Sequence, residues 1–526
     1  METPSVPPRR TRWAIALGII VLAAAAIVYV QQQEELTVGF RFMYSFLCVA
    51  VGYLLMLLWT LFFTGLYWRT RLLIVAVALA APVTWFSLLR IEESIDGSGR
   101  PRFRWVWQQP APPKDEGLSA AKPKTEPVDL KTTTPNDYPR FLGAQEQPIV
   151  HGILPAHDWS AQPPKKLWHQ RIGVGWSAFA VVGPYAVTQE QIGDEELVIC
   201  YEVETGKVRW THADPVRFED KQGGDGPRAT PTIVGGRVYV MGATGILNCL
   251  DGATGEKAWA HDVLKENNQS NIIWGKSCSP LVVGDVVVVT GGKAGPTLLA
   301  FDKESGKEIW RTEEKDESSY ASPALARNLA GRDQILITNA TRMTAHDPKD
   351  GRLLWSHPSP GGMAVCAQPV LLPGDRVLMP GGAGGGCALL HVTENSDGTM
   401  SVSEVWRTNQ MKPGFATMVV RGDYLYGLDD DTLACLDLKT GRRKWKERAG
   451  RYGWGQVLLA EDTLIVQADT GEVVLVEATP EKFHELARYP MLEGKTWTNP
   501  ALSGNRLLVR NDRWAACYEL PLRSTK

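Results

Sequence analysis

Five segments repeat one spacing of three residues. CYEVETGKVRW, CLDGATGEKAW, FDKESGKEIW, HDPKDGRLLW and CLDLKTGRRKW end at Trp210, Trp259, Trp310, Trp355 and Trp445. In each, an acidic residue (Glu202, Asp251, Asp302, Asp347, Asp437) stands four before a Gly (Gly206, Gly255, Gly306, Gly351, Gly441), and that Gly stands four before the Trp. The run ahead of the turn is apolar and alternating, as in GILNCLD or TLACLD, and the Gly supplies the positive φ of a tight turn. The unit therefore reads as a β-hairpin with the Trp on its second strand. Two weaker copies, Trp168 in KKLWHQ and Trp406 in SEVWRT, extend the series to Trp intervals of 42, 49, 51, 45, 51 and 39 residues, about 46 on average. That is four short strands with turns, the period of a propeller blade.

Each interval also holds two further strands, an inner one that often carries Pro near its start and a β-branched one after it. ATPTIV with RVYVMGA, SPLVV with DVVVVTGG, SPALA with QILITNA and AQPVLL with RVLMPGG show the beat, as do FATMVV with YLYGLDD, GQVLLA with TLIVQAD and NPALS with RLLVRND. With WSAFAVVG and YAVTQE as the first pair, eight pairs result. The last stops at AACYEL without an outer Trp strand, while KKLWHQRIG stands unpaired at the front. Joining the two removes the free sheet edges. The fold class predicted is all-β: an eight-bladed β-propeller of four-stranded antiparallel blades with a Velcro closure over residues 138–526.

This architecture accounts for 19 Trp against 13 Phe and 14 Tyr. Trp168, Trp210, Trp259, Trp310, Trp355, Trp406 and Trp445 are expected to pack between adjacent blades, each burying on the order of 200 Å². Cys200, Cys249, Cys435 and Cys517 share one repeat position in different blades, too far apart for disulfides, and read as small buried apolar residues. No CxxC or HExxH occurs, so zinc and thioredoxin chemistry lack their spacings, and no metal site is predicted. The formal charge of −2 gives no field to hold nucleic acid.

Ahead of the propeller, Trp13 to Gln33, Phe42 to Trp68 and Leu72 to Leu89 lack charge and predict three transmembrane helices within residues 13–90. No clean small-x-small site follows the first, which argues against a cleaved signal peptide. Arg9, Arg10 and Arg12 precede the first span, and Arg69 and Arg71 lie between the second and third. Residues 1–12 are therefore expected in the cytoplasm, and three crossings place the propeller in the periplasm of a diderm cell, held at the inner membrane. Residues 91–137, rich in Pro, Lys and Thr, read as an extended tether.

The repeats resemble those of the quinoprotein-type propellers, a group that includes the pyrroloquinoline quinone (PQQ) dehydrogenases and the propeller lipoprotein of the bacterial β-barrel assembly machinery. DYPRFLGAQ, GGDGPRATPT, GLDDDTLACLDLKTG and LEGKTWTNPAL look most like the PQQ-like propeller proteins common in planctomycetes. In the dehydrogenases the resemblance implies a cofactor in the central funnel, under a ring formed by two adjacent cysteines and above a Trp, with calcium held by carboxylate and amide side chains. This chain has no Cys-Cys pair and no Asp- and Asn-rich segment to gather calcium ligands. About 46 residues per blade also leaves no room for funnel-walling insertions. No cofactor is therefore expected, and no catalytic residue. GGAGGG (381–386) lacks the GK[ST] of a phosphate loop and reads as a turn.

The function expected is a membrane-anchored, extracytoplasmic scaffold that binds an envelope protein or a ligand through its funnel, with a PQQ-dependent dehydrogenase of alcohols or sugars as the alternative. By strand register, Arg228, Lys276, Gln368 and Asn499 sit at or just before inner strands, and Glu190 and Asp430 at the ends of second strands. These six are the expected funnel residues.

Overall fold

The structure is a computed structural model that describes residues 9–33, 36, 38–94, 101–109, 115–118 and 127–523. It forms two compact units, Met1–Ala111 and Pro112–Lys526.

In the first unit, helices Arg9–Gln32, Val38–Phe63 and Trp68–Ser87 contain three spans long and apolar enough to cross a membrane: Trp13–Gln32, Gly39–Phe63 and Trp68–Ser87. Most of their large side chains are exposed, as where lipid is the solvent, with Trp59 buried against Trp13. Strands Leu89–Ser94 and Pro101–Trp105 then pair antiparallel. The stretch 91–137, expected as an extended tether, thus starts inside a hairpin.

The second unit contains eight sheets in chain order. Blade 1 comprises Ala180–Val182, Tyr185–Ile192, Glu195–Glu202 and Val208–Asp214 from inside outward. Blades 2 to 7 begin at Thr232, Leu281, Ala324, Val370, Val419 and Gln456. Blade 8 joins Ala501–Ser503, Arg506–Arg510 and Trp514–Glu519 to the early strand Lys165–Arg171, with Cys517 opposite Trp168. The ring closes as predicted.

The repeat explains how neighbouring blades lock. Each repeat Gly has φ between 67° and 76°, and its N–H bonds back to the carbonyl of the acidic residue at 2.8–2.9 Å. The absent Cβ makes room for the indole of the preceding blade. A methyl at Gly255 would lie 2.5 Å from Trp210, and Gly206, Gly306, Gly351 and Gly441 face Trp168, Trp259, Trp310 and Trp406 in the same way. The indole N–H then donates to the carbonyl just after the acidic residue: Trp168 to Val203, Trp210 to Gly252, Trp259 to Lys303, Trp310 to Pro348 and Trp406 to Leu438, at 2.7–3.1 Å. Trp445 donates to Thr479 of blade 7. Trp355 donates instead to Gln334 in its own blade, because blade 5 lacks the repeat turn, yet it still packs into blade 5 beside Val377 and Ala388. Cys200, Cys249, Cys435 and Cys517 are buried, free, and each register-paired with its blade's Trp.

Residues 127–150 add an element absent from the repeat. Val128 and Leu130 bury against blades 1 and 2 beside the turn at Ala253, and residues 138–150 then run into the channel. There they cap N–H groups at one register level of four inner strands. Val181 donates to the Tyr138 carbonyl (2.7 Å), Ile233 to Pro139 (2.8 Å), Leu325 to the Glu146 carboxylate (3.0 Å) and Leu459 to Pro148 (2.8 Å). An inner strand is a sheet edge with unpaired donors, and this plug satisfies them from the axis. Ile149–Val150 even joins blade 7 as a parallel fifth strand.

Candidate binding face

Antiparallel pairing puts inner-strand starts and second-strand ends on one face of the disc and the repeat turns on the other. All six residues expected in the funnel lie on the first face, here called the mouth. Side chains divide them.

Gln368 and Asn499 occupy equivalent places in a ring around the channel, with Ala178, Thr230, Ser279, Ser322, Thr417 and Gln456 in the other blades. Its hydroxyls tie blades together: Ser279 Oγ accepts from Thr230 N, Ser322 Oγ from Ser279 N and Thr417 Oγ1 from Gln368 N, at 2.9–3.1 Å. Gln368 also lines a cavity of about 20 Å³ between the ring and the plug, next to the Arg140–Glu146 ion pair (2.9 Å). That is room for about one water.

Glu190, Lys276 and Asp430 are buried within the blades. Glu190 accepts from Tyr201 Oη (2.6 Å) and Gly173 N (2.7 Å), close to Arg510, whose guanidinium bonds Thr188 and the Gln189 carbonyl across the seam between blades 8 and 1. Burial pushes the Glu190 carboxyl up, and nearby Arg510 partly offsets this. Lys276 gives its ammonium to Thr290 O, Thr290 Oγ1 and the Gly291 carbonyl, and burial pulls it down to about 8. Asp430, at φ 60°, has its carboxyl pushed up to about 6 by burial against the pull of Lys412, 3.6 Å away. Next to it, fully buried Asp429 takes Lys412, Arg443 and Lys446 at 2.6–2.8 Å.

Arg228 belongs to a second layer, two residues before the ring in each blade: Trp176, Arg228, Ser277, Tyr320, Cys366, Phe415, Trp454 and Trp497. It bonds the Gly224 and Gly226 carbonyls and lies 4.6 Å over Phe218. Burial lowers it to about 10.

Four aromatics of this layer, on consecutive blades 6, 7, 8 and 1, form an arc that sequence reading missed. Ring centres lie 4.3 Å apart for Phe415–Trp454, 6.1 Å for Phe415–Trp497 and 4.9 Å for Trp497–Trp176. Lys495 Nζ stands 4.4 Å over Trp497. Across the mouth, Trp274 contacts Tyr320 at 5.1 Å, and Ile273 and Met363 are exposed on the rim. The signal was the aromatic two residues ahead of the ring position, as in WSA, FAT, WGQ and WTN, a position the other blades fill with Arg, Ser, Tyr or Cys.

GGAGGG offers no anion nest. Its backbone interlocks with Gly361 and Met363, so the N–H groups of Gly381, Gly382, Ala383 and Gly385 already have carbonyl partners. No three His, Cys, Asp or Glu side chains converge among the described residues, and the mouth-face carboxylates of Glu190 and Asp429 are committed within the blades.

A family model described as "Outer membrane protein assembly factor BamB" matches residues 160–270 and 194–447. The protein of that name from Burkholderia pseudomallei is 25% identical over 256 residues, 47% of this chain and 61% of its own length. The quinohemoprotein alcohol dehydrogenase ADH-IIG of Pseudomonas putida is 30% identical over 126 residues, 23% of this chain and only 17% of that enzyme. Among solved structures, the Moraxella catarrhalis BamB superposes with a TM-score of 0.50 at 16% identity, covering 69% of this chain and 99% of that one. The ADHIIG structure gives 0.54 at 13% identity, covering 76% and 84%. At such identities the structures establish the fold alone.

Proposed function

Since the chain belongs to the PQQ-like propeller family whose model carries the assembly-factor description, we propose that it is a membrane-held binding scaffold that takes an envelope protein through its mouth face. The observation that carries this reading is the asymmetry of the channel. One side is occupied by the plug, while the other presents half-buried aromatics with an exposed apolar rim. Trp, Tyr, Met and Arg are the residues enriched at interface centres, and they are what this mouth displays. The Arg and Lys bias of the span-flanking loops supports a cytoplasmic N-terminus, with the propeller on the periplasmic side of the inner membrane. The chain works without a bound cofactor. As a test, the full chain is purified from cells in detergent with its partners, alongside Trp454→Ala/Trp497→Ala. Co-purification that is lost in the variant while its melting curve is kept supports the reading. Dye reduction on alcohols or sugars after addition of PQQ and calcium contradicts it.

A further inference from the structure

The hairpin that follows the third span has two chemically distinct faces. Leu89 stands opposite Trp105 and Ile91 opposite Phe103, and the rung between them sets Arg90 opposite Arg104. Successive side chains on a strand point to opposite sides. Leu89, Ile91, Phe103 and Trp105 therefore share one face, and Arg90 and Arg104 share the other. The apolar face lies open: Ile91 is 57% exposed and Phe103 44%. Trp107, 65% exposed, stacks on Trp105 at 4.9 Å, and Trp105 meets Trp85 edge-on at 5.0 Å. On the basic face, Arg90 gives Nη1 to the Ser87 and Leu89 carbonyls and Arg104 gives Nη1 to the Gln108 carbonyl. Carbonyls do not neutralise a guanidinium, and like charges directly opposite one another repel. A lone two-stranded hairpin with one bare apolar face and one such Arg rung is marginal in water.

Where the hairpin starts decides what covers it. The third helix ends at Ser87 and the first strand begins at Leu89. Leu88 N still bonds the Thr84 and Trp85 carbonyls, and Val106 N bonds the Leu88 carbonyl at 2.9 Å, so the first strand leaves from the last turn of the span and the second returns to it. Leu89 and Ile91 are two residues apart, about 7 Å of strand. The headgroup layer of one leaflet is about 5–8 Å thick. The rungs that carry the open aromatics and the Arg pair thus fall at the depth where Trp rings concentrate and where lipid phosphates supply anions. One environment there complements both faces, since phosphates accept charged hydrogen bonds from Arg while the acyl boundary takes the rings.

We propose that the strands Leu89–Ser94 and Pro101–Trp105, with Trp107, dock on the anionic headgroup layer of the leaflet where the third span ends. Ile91, Phe103 and Trp107 turn to the acyl boundary, and Arg90 and Arg104 hold lipid phosphates. This rests on the three helices spanning the membrane and not on what the mouth binds. It makes the first part of residues 91–137 an anchor instead of a tether.

The test reconstitutes the full chain into vesicles of phosphatidylcholine with phosphatidylglycerol. One naphthyl fluorescent amino acid, excited outside the Trp band, stands in place of Phe103, Arg102, Leu79 or Lys439. Lipids brominated high on the acyl chain quench shallow probes, and lipids brominated near its end quench deep ones. The probe at Phe103 is expected to be quenched by the high bromines at least threefold more than the probe at Arg102. The probe at Leu79, inside the third span, should respond most to the deep bromines, and the probe at Lys439, on the propeller, to neither. Vesicles of phosphatidylcholine alone, or Arg90→Gln/Arg104→Gln, should at least halve the quenching at Phe103. A probe at Phe103 as unquenched as the one at Lys439, with Leu79 quenched, overturns the proposal and leaves water or protein as the cover of this face. Quenching at Phe103 that ignores both phosphatidylglycerol and the Arg pair overturns it too, because the phosphate contact is then absent. An unquenched probe at Leu79 refutes the span reading itself, and this inference with it. If only Phe103 fails while Trp454-dependent co-purification persists, this inference falls and the scaffold reading stands.

Discussion

Replacing Gly255 with Ala probes the interlock at one atom. Gly255 sits at φ 76°, and a Cβ there would lie 2.5 Å from Trp210 Cε3 and 2.8 Å from Cδ2. The left-handed backbone alone costs an L-residue about 1–2 kcal/mol. Overpacking against an indole that is 1% exposed and tied to the Gly252 carbonyl at 2.9 Å adds about 1–3 kcal/mol. The total expected is about 2–5 kcal/mol. Gly284→Ala is the matched control: φ is 57°, and nothing lies within 4 Å of its Cβ position, so only the backbone cost applies. Urea titration of the full chain in micelles, followed by Trp fluorescence, gives both values, compared where the slope m is unchanged. In a Trp210→Leu background the Gly255→Ala penalty should shrink toward that of Gly284→Ala, which a double-mutant cycle isolates. Equal penalties at the two glycines in the wild-type background would refute the claim that repeat glycines exist to seat the neighbouring indole.

Three further outcomes are expected. Asp430 has a folded-state value near 6, above its ordinary 3.8, so its contribution to stability is complete in acid and is lost as pH rises from about 4 to 6. Asp430→Asn should remove up to about 3 kcal/mol of that pH dependence in urea titrations at pH 4 and 7, and parallel slopes in the two proteins would contradict the assignment. Glu146→Ala leaves Arg140 without its carboxylate and Leu325 N without an acceptor, for a loss of about 2–4 kcal/mol, whereas Glu146→Gln should lose less because it keeps an acceptor. Trp406→Phe keeps the wedge but drops the 2.9 Å bond to Leu438, which should cost about 1–3 kcal/mol in the same assay.

The blade count, the Velcro strand and the seven blade Trp were legible because a single turn geometry demands the same three residue types at fixed spacing. Strand register also put Arg228, Lys276, Gln368, Asn499, Glu190 and Asp430 on one face of the disc, the mouth. Register does not reveal which groups a side chain meets, so the burial of Lys276 on the Thr290 and Gly291 carbonyls, or of Glu190 under Tyr201, was out of reach. The plug at 138–150 was hidden for a different reason. It works through backbone carbonyls and one carboxylate, and these leave no periodic trace. The aromatic arc escaped because its eight equivalent positions, Trp176, Arg228, Ser277, Tyr320, Cys366, Phe415, Trp454 and Trp497, hold six different residue types, with only Trp recurring.

The most direct measurement is photo-crosslinking in living cells from four positions of the full chain: Met363 and Ile273 on the rim of the mouth, Thr440 and Lys349 on the repeat turns of the opposite face. Discrete protein adducts from Met363 and Ile273, suppressed by Trp454→Ala/Trp497→Ala and absent from the other two, are the predicted result. Adducts confined to Thr440 and Lys349 would place the working surface on the far side of the disc and contradict the account.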